Sequence, residues 1–165
     1  MKFLLVDRIE SIEPGKRIVT VKALTLAEEY LADHFPAFPV MPGVLMLEAL
    51  TQSAAWLVRV KQDFAKSIIV LSAARNVRYA SFVQPGRILR CEVDAMEIGD
   101  SSGRFKAAGY VEDAQAVQAR LELACFNLAE KRPSLAEADR AIIEQMRQRF
   151  KLIGGPAALE AAGAR

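Results

Sequence analysis

Two side chains near the start of a long apolar run could transfer protons. His34 is the only histidine among 165 residues, and Glu48 follows it fourteen positions later. An imidazole accepts and returns protons near neutral pH. A carboxyl group on an otherwise apolar helix needs either a partner or a chemical task. The pair therefore predicts acid–base chemistry, in which one group takes a proton while the other helps a leaving group depart.

The segment that carries these residues combines a stiff entry with a long helix. Pro36, Pro39 and Pro42 occur at every third position, and each keeps the residue before it out of helical geometry. Pro42 fits the first turn of a helix, and no further helix breaker occurs from Gly43 to about Val60. We predict one long helix there, apolar nearly all the way round and wrapped by other structure.

The same helix is nearly long enough to cross a membrane, but its polar residues argue against a membrane span. A charged residue at the centre of a span costs roughly 2.5–3.5 kcal/mol on insertion scales, and the flanking sequence alternates like the strands of a soluble protein. Glu48 and Gln52 are four residues apart and share one face. Gln52 could hydrogen-bond the carboxylate and fix its rotamer, or could simply be a packing residue.

Alternating apolar and polar residues predict five or six antiparallel strands around this helix. Ser67 to Ala74 differs from the others because it is a continuous apolar run, which is typical of a strand buried on both faces. An antiparallel sheet that curls over one apolar helix is an α+β architecture. The candidate strands are Lys2 to Ile9, Arg17 to Ala23, Ser67 to Tyr79, Arg87 to Ile98, Arg104 to Val111 and Val117 to Cys125.

The C-terminal part of the chain differs in pattern from the rest. Ser134 and Glu137 have the spacing of a capping box, and apolar residues then recur at helical spacing up to Ile153. We predict a domain over residues 1–130, followed over 131–165 by an amphipathic helix and a flexible tail. The helix is expected to pack on the body or at a subunit contact.

Composition excludes several classes of protein. The net charge of +2 and the lack of a basic run argue against nucleic-acid binding. Cys91 and Cys125 have no Cys or His at metal-ligand spacing, so we expect reduced core cysteines and no metal or redox cofactor. The N-terminal apolar run is followed at once by Asp7 and Arg8 without a cleavage site, so we expect a cytoplasmic protein.

The residues from His34 to Gln52, HFPAFPVMPGVLMLEALTQ, resemble the active-site motif HFPxxPxMPGVLxxEAxxQ of the FabZ-type 3-hydroxyacyl-[acyl-carrier-protein] dehydratases. The resemblance continues through FLLVDRIESIEPGKRIVTVKALT at 3–25 and VQPGRILRCEV at 83–93. It implies a hotdog fold, a curved antiparallel sheet around one central helix, to which the C-terminal helix is an addition. The implied activity is that of a lyase of fatty acid biosynthesis that converts (3R)-3-hydroxyacyl-acyl-carrier-protein into the trans-2-enoyl product.

The resemblance also implies roles for single residues. In the family, the histidine and the glutamate of one site come from different subunits of a dimer, and the glycine N–H binds the thioester carbonyl. By position these are His34, Glu48 and Gly43. The acyl group would arrive on the phosphopantetheine of acyl carrier protein, with no other cofactor. A homodimer is expected, and relatives often join three such dimers into a hexamer.

Further residues are expected to bind substrate or partner. Val44, Phe38, Tyr79 and Phe82, together with Gly43 and Gln52, could line the acyl site, although apolar residues of this kind are more often core. The family usually has a small and then a polar residue where this chain has Ala37 and Phe38, so Phe38 could narrow the pocket. A set of arginines could steer the acidic carrier protein or could simply form a solvated face: Arg75, Arg78, Arg87 and Arg90.

Two other functions fit the same fold. A hotdog thioesterase would hydrolyse the thioester with water and a carboxylate, without needing the histidine and the Pro-Gly-Val-Leu helix entry. A non-catalytic subunit that binds acyl groups or carrier protein in a lipid or polyketide pathway would result if Phe38 blocked the site.

Overall fold

The computed structural model describes residues 3–163, and six of its strands form one antiparallel sheet. The spatial order of the strands is β1-β2-β4-β5-β6-β3, so β1 and β3 are the two edges. The number of strands lies within the predicted range. The strands are β1 Arg8–Glu13, β2 Arg17–Ala23, β3 Ile68–Tyr79, β4 Ile88–Ile98, β5 Ser102–Val111 and β6 Ala114–Phe126.

The predicted central helix is present as α1, Gly43–Lys61. It packs against the inner face of the sheet and contacts strands β2 to β6. The strands supply alternate apolar side chains to this contact, as Leu89, Cys91 and Val93 of β4 show by being fully buried. Burial on several sides explains why α1 is apolar nearly all the way round: Met46, Ala49, Leu50, Ala54, Leu57 and Val58 are all within the core.

Two predictions about the strands are wrong by more than a shift of one to three residues at a strand end. The first strand was expected from Lys2, which lies outside the described residues, to Ile9, whereas β1 begins at Arg8. The apolar residues before it are bound elsewhere, because the Leu5 N–H donates to the Gln52 side chain and not to a strand. The expectation that the apolar run of β3 is buried on both faces is wrong for the single chain. β3 is an edge strand, and Val70 and Leu71 remain 45% and 36% exposed.

The C-terminal helix is present as α2, Ala136–Leu152, but the capping box predicted from Ser134 and Glu137 does not form. Ser134 lies in a 3₁₀ turn, and the N-cap residue Leu135 makes no side-chain bond. A capping box does form nearby, where Asn127 and Glu130 bond reciprocally in an earlier 3₁₀ turn.

The tail that was expected to be flexible contains a second helix. Gly154 has a φ of +82°, a left-handed conformation that ends α2. The helix α3, Gly155–Gly163, follows and packs against β1, with Ala158 buried. The helices α2 and α3 together form a C-terminal extension of the sheet-and-helix body.

Aromatic packing and one backbone bond hold this extension to the body. Phe150 of α2 lies with its ring centroid 5.9 Å from that of Trp56 and 5.6 Å from that of Phe64. The Ile9 N–H of β1 donates to the Ile153 carbonyl at 2.8 Å. The extension therefore covers the β1 edge of the sheet.

Asp139 is a buried acid of α2 that sequence reasoning did not single out. Its carboxylate accepts hydrogen bonds from the Ser67 hydroxyl and from the Leu128 and Ala129 N–H groups, the last two at 2.9 Å. Burial alone would raise the pKa of Asp139, but these three hydrogen bonds outweigh it and lower that pKa below its usual range. Asp139 thus ties α2 to the start of β3 and to the turn after β6.

Other features of the described residues bear on the excluded classes. No helix within residues 3–163 is long and apolar enough to cross a membrane. In the same part of the chain, no three Cys, His, Asp or Glu side chains group as metal ligands would. Both cysteines are free and buried, as expected, and burial raises the pKa of Cys91 to about 12.

Candidate active site

The start of α1 presents unpaired backbone N–H groups. Pro42 is the N-cap residue, and its carbonyl accepts from the Leu45 and Met46 N–H groups at 2.9 and 3.2 Å. The N–H groups of Gly43 and Val44 have no acceptor within residues 3–163. Because the first turn of a helix is also its positive end, this pair of donors can stabilise negative charge on an oxygen atom.

Gly43 lies against the ring of Tyr79, a residue of the edge strand β3. A Cβ at this position would approach two ring carbons of Tyr79 to 3.2 Å. Close packing therefore accounts for the glycine without reference to a substrate. The contact also establishes that the C-terminal end of β3 lies beside the start of α1.

Glu48 is half-buried on α1, and Gln52 holds one of its oxygens. Gln52 Nε2 donates to Glu48 Oε1 at 2.9 Å, so the predicted hydrogen bond is present. Gln52 in turn binds the N-terminal segment, accepting from the Leu5 N–H at 3.0 Å and donating to the Phe3 carbonyl at 3.1 Å. The second oxygen of Glu48, Oε2, has no hydrogen-bond partner in the described part of the chain.

His34 lies half-buried in the loop before α1. Its backbone N–H donates to the Tyr30 carbonyl at 3.2 Å, and its imidazole ring centroid is 4.5 Å from the ring centroid of Phe35. Phe35 has a φ of +52°, a strained conformation for a phenylalanine that costs about 1–3 kcal/mol. Within residues 3–163 no hydrogen bond joins the imidazole to Glu48, so one chain alone does not link the two proposed proton carriers.

Two phenylalanines form an exposed pair beside the helix entry. Phe38 and Phe82 meet edge to face with ring centroids 5.8 Å apart, and they remain 49% and 62% exposed. Their loops are joined by the Met41 N–H, which donates to the Val83 carbonyl at 2.9 Å. Val44 is also exposed, whereas Met41 is buried and belongs to the core. The aromatic side chain that departs from the family motif thus packs on Phe82.

The four arginines do not form one cluster. Arg75 and Arg78 lie on β3, whereas Arg90 lies on β4 and Arg87 just before it. Since β5 and β6 lie between these strands, the two pairs are roughly 14 Å apart across the sheet. Arg90 is held by Glu10 at 3.0 Å and by Glu92, and it lines a groove of about 540 Å³ between β1 and α3.

The four arginines also differ in whether a carboxylate of the same chain pairs with them. Arg87 pairs with Glu112, and Arg75 pairs with Glu122 at 3.3 Å. Arg78 has no ion-pair partner within residues 3–163. Of the four, Arg78 is therefore the most available for an acidic partner.

Comparison with known proteins identifies the family. Residues 1–120 match the model of the FabA-like domain. The 3-hydroxyacyl-[acyl-carrier-protein] dehydratase FabZ of Clostridium kluyveri is 38% identical over 119 residues, which are 72% of this chain and 83% of that protein. The chain belongs to the FabA-like family. Its FabZ relatives also include that of Symbiobacterium thermophilum, which is 35% identical over 132 residues, 80% of this chain and 93% of that protein.

Solved structures agree on the fold of this FabA-like protein. The dehydratase heterocomplex ApeI:P from Xenorhabdus doucetiae aligns with a TM-score of 0.66 at 16% identity, covering 81% of this chain and 90% of the other. The E. coli PaaI protein from the phenylacetic acid degradation operon aligns with a TM-score of 0.54 at 12% identity, covering 72% and 78%. The predicted α+β hotdog fold is confirmed. Membership of the FabZ-type dehydratases also confirms the expected class of enzyme, a hydro-lyase.

Proposed function

We propose that this protein removes water from (3R)-3-hydroxyacyl groups carried on acyl carrier protein and releases trans-2-enoyl thioesters for fatty acid synthesis. The observation that carries the proposal is the arrangement on α1. Gln52 holds one oxygen of Glu48 and leaves the other free within residues 3–163. Glu48 lies five residues, about 7.5 Å along the helix axis, after Gly43 with its unpaired N–H. A proton carrier and an oxyanion donor thus occur on one rigid element, as this elimination requires.

The elimination needs one proton taken from C2 and one delivered to the oxygen on C3. In the proposed reaction the His34 imidazole takes the C2 proton, and the electrons of that C–H bond form the new double bond. The Glu48 carboxyl group gives its proton to the C3 hydroxyl, which leaves as water. His34 then returns its proton to the Glu48 carboxylate. Each of these acid–base roles typically contributes about 10²–10⁴-fold in rate.

The backbone at the helix start has the third role. As the C2 proton leaves, negative charge develops on the thioester oxygen, and the Gly43 N–H is assigned to bind it. The donor is fixed by the helix, so it does not have to reorganise during the reaction. The acyl group and the phosphopantetheine arm would lie along the exposed apolar side chains around this point: Val44, Phe38, Tyr79 and Phe82.

The proposed enzyme is a homodimer that pairs through the β3 edge. β3 has twelve residues, and among the strands that the structure describes it binds only β6. Val70, Leu71 and Tyr79 leave apolar surface exposed along it. A long apolar edge of this kind favours pairing with another strand, and a second copy related by a two-fold axis is the simplest partner.

The same pairing would bring His34 and Glu48, which are not joined within one chain, into a common site. Tyr79 of β3 lies against Gly43, so a second copy bound at β3 also reaches the start of α1. We assign the Glu48 of one subunit and the His34 of the other to each site. A hexamer made of three such dimers is compatible with this arrangement, because it would leave the β3 pairing intact.

The reaction is tested with 3-hydroxybutyryl-acyl-carrier-protein as substrate. Enoyl formation is followed by ultraviolet absorbance and thioester hydrolysis by free thiol release. We expect an enoyl signal that falls about 10²–10⁴-fold in His34→Ala and in Glu48→Gln. Thiol release alone would indicate a thioesterase, and binding without either product would indicate a non-catalytic subunit; each would overturn the proposal.

The shared site has a test of its own. The two inactive variants His34→Ala and Glu48→Gln are unfolded together and refolded as a mixture. If each site uses both subunits, half of the dimers are mixed and one of their two sites is intact, so about a quarter of wild-type activity returns. If His34 and Glu48 act within one subunit, mixing restores no activity.

A further inference from the structure

The N-terminal segment is bound to the candidate catalytic carboxylate through a single side chain. Gln52 makes three hydrogen bonds of 2.9–3.1 Å, one to Glu48 Oε1 and two to the backbone of Phe3 and Leu5. Leu5 itself is 1% exposed, so the backbone that binds Gln52 is fixed by packing in the core. The amide of Gln52 is therefore held from both sides.

The backbone also decides which way the Gln52 amide faces. The Leu5 N–H can only donate, so the Gln52 atom facing it must be the carbonyl oxygen. The NH₂ group then faces the Phe3 carbonyl and Glu48 Oε1, both of which can accept. If the amide were rotated by half a turn, its oxygen would face two acceptors and its NH₂ would face a donor. The hydrogen bonds to Phe3 and Leu5 thus disfavour the rotated orientation of the Gln52 amide.

We propose that the Phe3 carbonyl and the Leu5 N–H position the catalytic carboxylate by orienting Gln52, which leaves Glu48 Oε2 as the oxygen that exchanges a proton with substrate. Glu48 Oε1 is occupied as an acceptor, whereas Oε2 has no partner within residues 3–163. Gln52 is a positioning residue, and the Leu5 N–H acts through it. The inference rests on the proposed dehydration and assigns to a segment far from the motif in sequence a part in the same site.

Two variants test the chain of hydrogen bonds from Leu5 through Gln52 to Glu48. Leu5→Pro deletes the N–H that orients the amide, and Gln52→Met keeps the length of the side chain but makes no hydrogen bond to Glu48. Glu48 becomes a carboxylate as it gives its proton to the C3 hydroxyl, and a hydrogen bond to a charged group contributes about 1.5–3 kcal/mol. Loss of this bond in the transition state should lower kcat about 10- to 100-fold in each variant. KM should stay within about twofold, since binding of the substrate is not altered.

The control for the backbone change is Leu4→Pro. Leu4 is 41% exposed, and its N–H makes no hydrogen bond within the described residues, so this variant disturbs the same segment without removing a donor to Gln52. We expect its kcat to equal that of the wild type. The melting temperature of every variant is measured, so that loss of fold is distinguished from loss of positioning.

A double-mutant cycle separates positioning from a structural role. In the Gln52→Met background, Leu5→Pro should lower kcat no further, because the group it orients is already absent. Additive effects of the two substitutions on kcat would overturn the inference. If the wild type forms no enoyl product, the proposed function fails first; if the wild type is active and dependent on His34, only the positioning role is at stake.

A readout without activity covers the case in which Leu5→Pro does not fold. As a carboxylate, the side chain of Gln52→Glu can still accept from the Leu5 N–H but has no proton to donate to Glu48. Amide hydrogen exchange at Leu5 should stay slow in Gln52→Glu and become fast in Gln52→Met, while both variants lose kcat. Equal exchange in the two variants would contradict the link between Leu5 and Gln52.

Discussion

The two edges of the sheet differ in whether other parts of the chain cover them. At the β1 edge, the Ile9 N–H is bound by the Ile153 carbonyl, and α3 packs along the strand. At the β3 edge, no other strand of the described residues lies beside the outer side of its twelve residues, and apolar Val70 and Leu71 remain partly exposed. Within residues 3–163 the chain thus covers one edge with its own C-terminal extension and leaves the other uncovered, which is the edge where we propose that a second copy binds.

The candidate site and the C-terminal extension lie at opposite edges of the sheet. The open edge carries Tyr79, which touches the helix start at Gly43. The covered edge is closed by α2 and α3, and both lie beyond residues 1–120, the part of the chain that matches the family model. The extension contacts α1 through Phe150 and Trp56, about two turns beyond Glu48, and it lies at the opposite edge of the sheet from Tyr79.

The largest effect is expected from charging the open edge. Val70→Lys combined with Leu71→Lys would place like charges next to each other across the proposed two-fold axis and should yield monomers by light scattering. If each site is shared between subunits, dehydration falls by about 10²-fold or more.

The matched change at the covered edge is Ser11→Lys on the exposed face of β1, which should leave the dimer and its activity unchanged. A β3 variant that is monomeric and fully active would contradict the shared site. A β3 variant that still forms dimers would move the subunit contact away from β3.

A smaller effect is expected from loosening the covered edge through Asp139. Its lowered pKa means that the carboxylate stabilises the fold above the unfolded pKa of about 3.9 and stops doing so as pH falls through the lower folded value. Asp139→Asn should therefore lower the melting temperature at pH 7, and its difference from the wild type should shrink below about pH 4.

Asp113→Asn, in the exposed turn between β5 and β6, is the control and should melt like the wild type at both values of pH. Hydrogen exchange at the Ile9 N–H should quicken in Asp139→Asn as the extension loosens. A melting difference that is the same at pH 7 and pH 3 would show that the charge of Asp139 is not what stabilises α2.

The smallest effect concerns carrier-protein docking and again distinguishes the two sides of the sheet. Arg78→Ala on the open edge should raise KM for the carrier-linked substrate about two- to fivefold, since an exposed charge contributes about 0.5–1 kcal/mol. KM for a short thioester without carrier protein should not change. Arg90→Ala should leave both constants unaltered because Glu10 and Glu92 already hold that side chain; a larger effect of Arg90 would place docking on the β1 side.

Much of the fold could be predicted because its causes are local. The helix α1 begins at Gly43 as predicted, although Pro42 is its N-cap residue and not part of the first turn. No helix breaker follows Pro42 along α1. The alternation in β4 and β6 predicted their buried faces, because side chains of a strand point to opposite sides in turn. The spacing from Glu48 to Gln52 predicted their hydrogen bond for the same kind of reason.

The sequence by itself determined the helix with Glu48 and Gln52 on one face, the strand periods and the family motif. Only the tertiary structure decided that β3 is an open edge, that the tail forms a helix over β1, and that the arginines of β3 and β4 lie far apart. It alone joined Leu5 to Gln52 across 47 residues and Ser67 to Asp139 across 72. Such contacts depend on which helices and strands pack against each other, and local patterns of hydrophobicity and charge do not specify that packing.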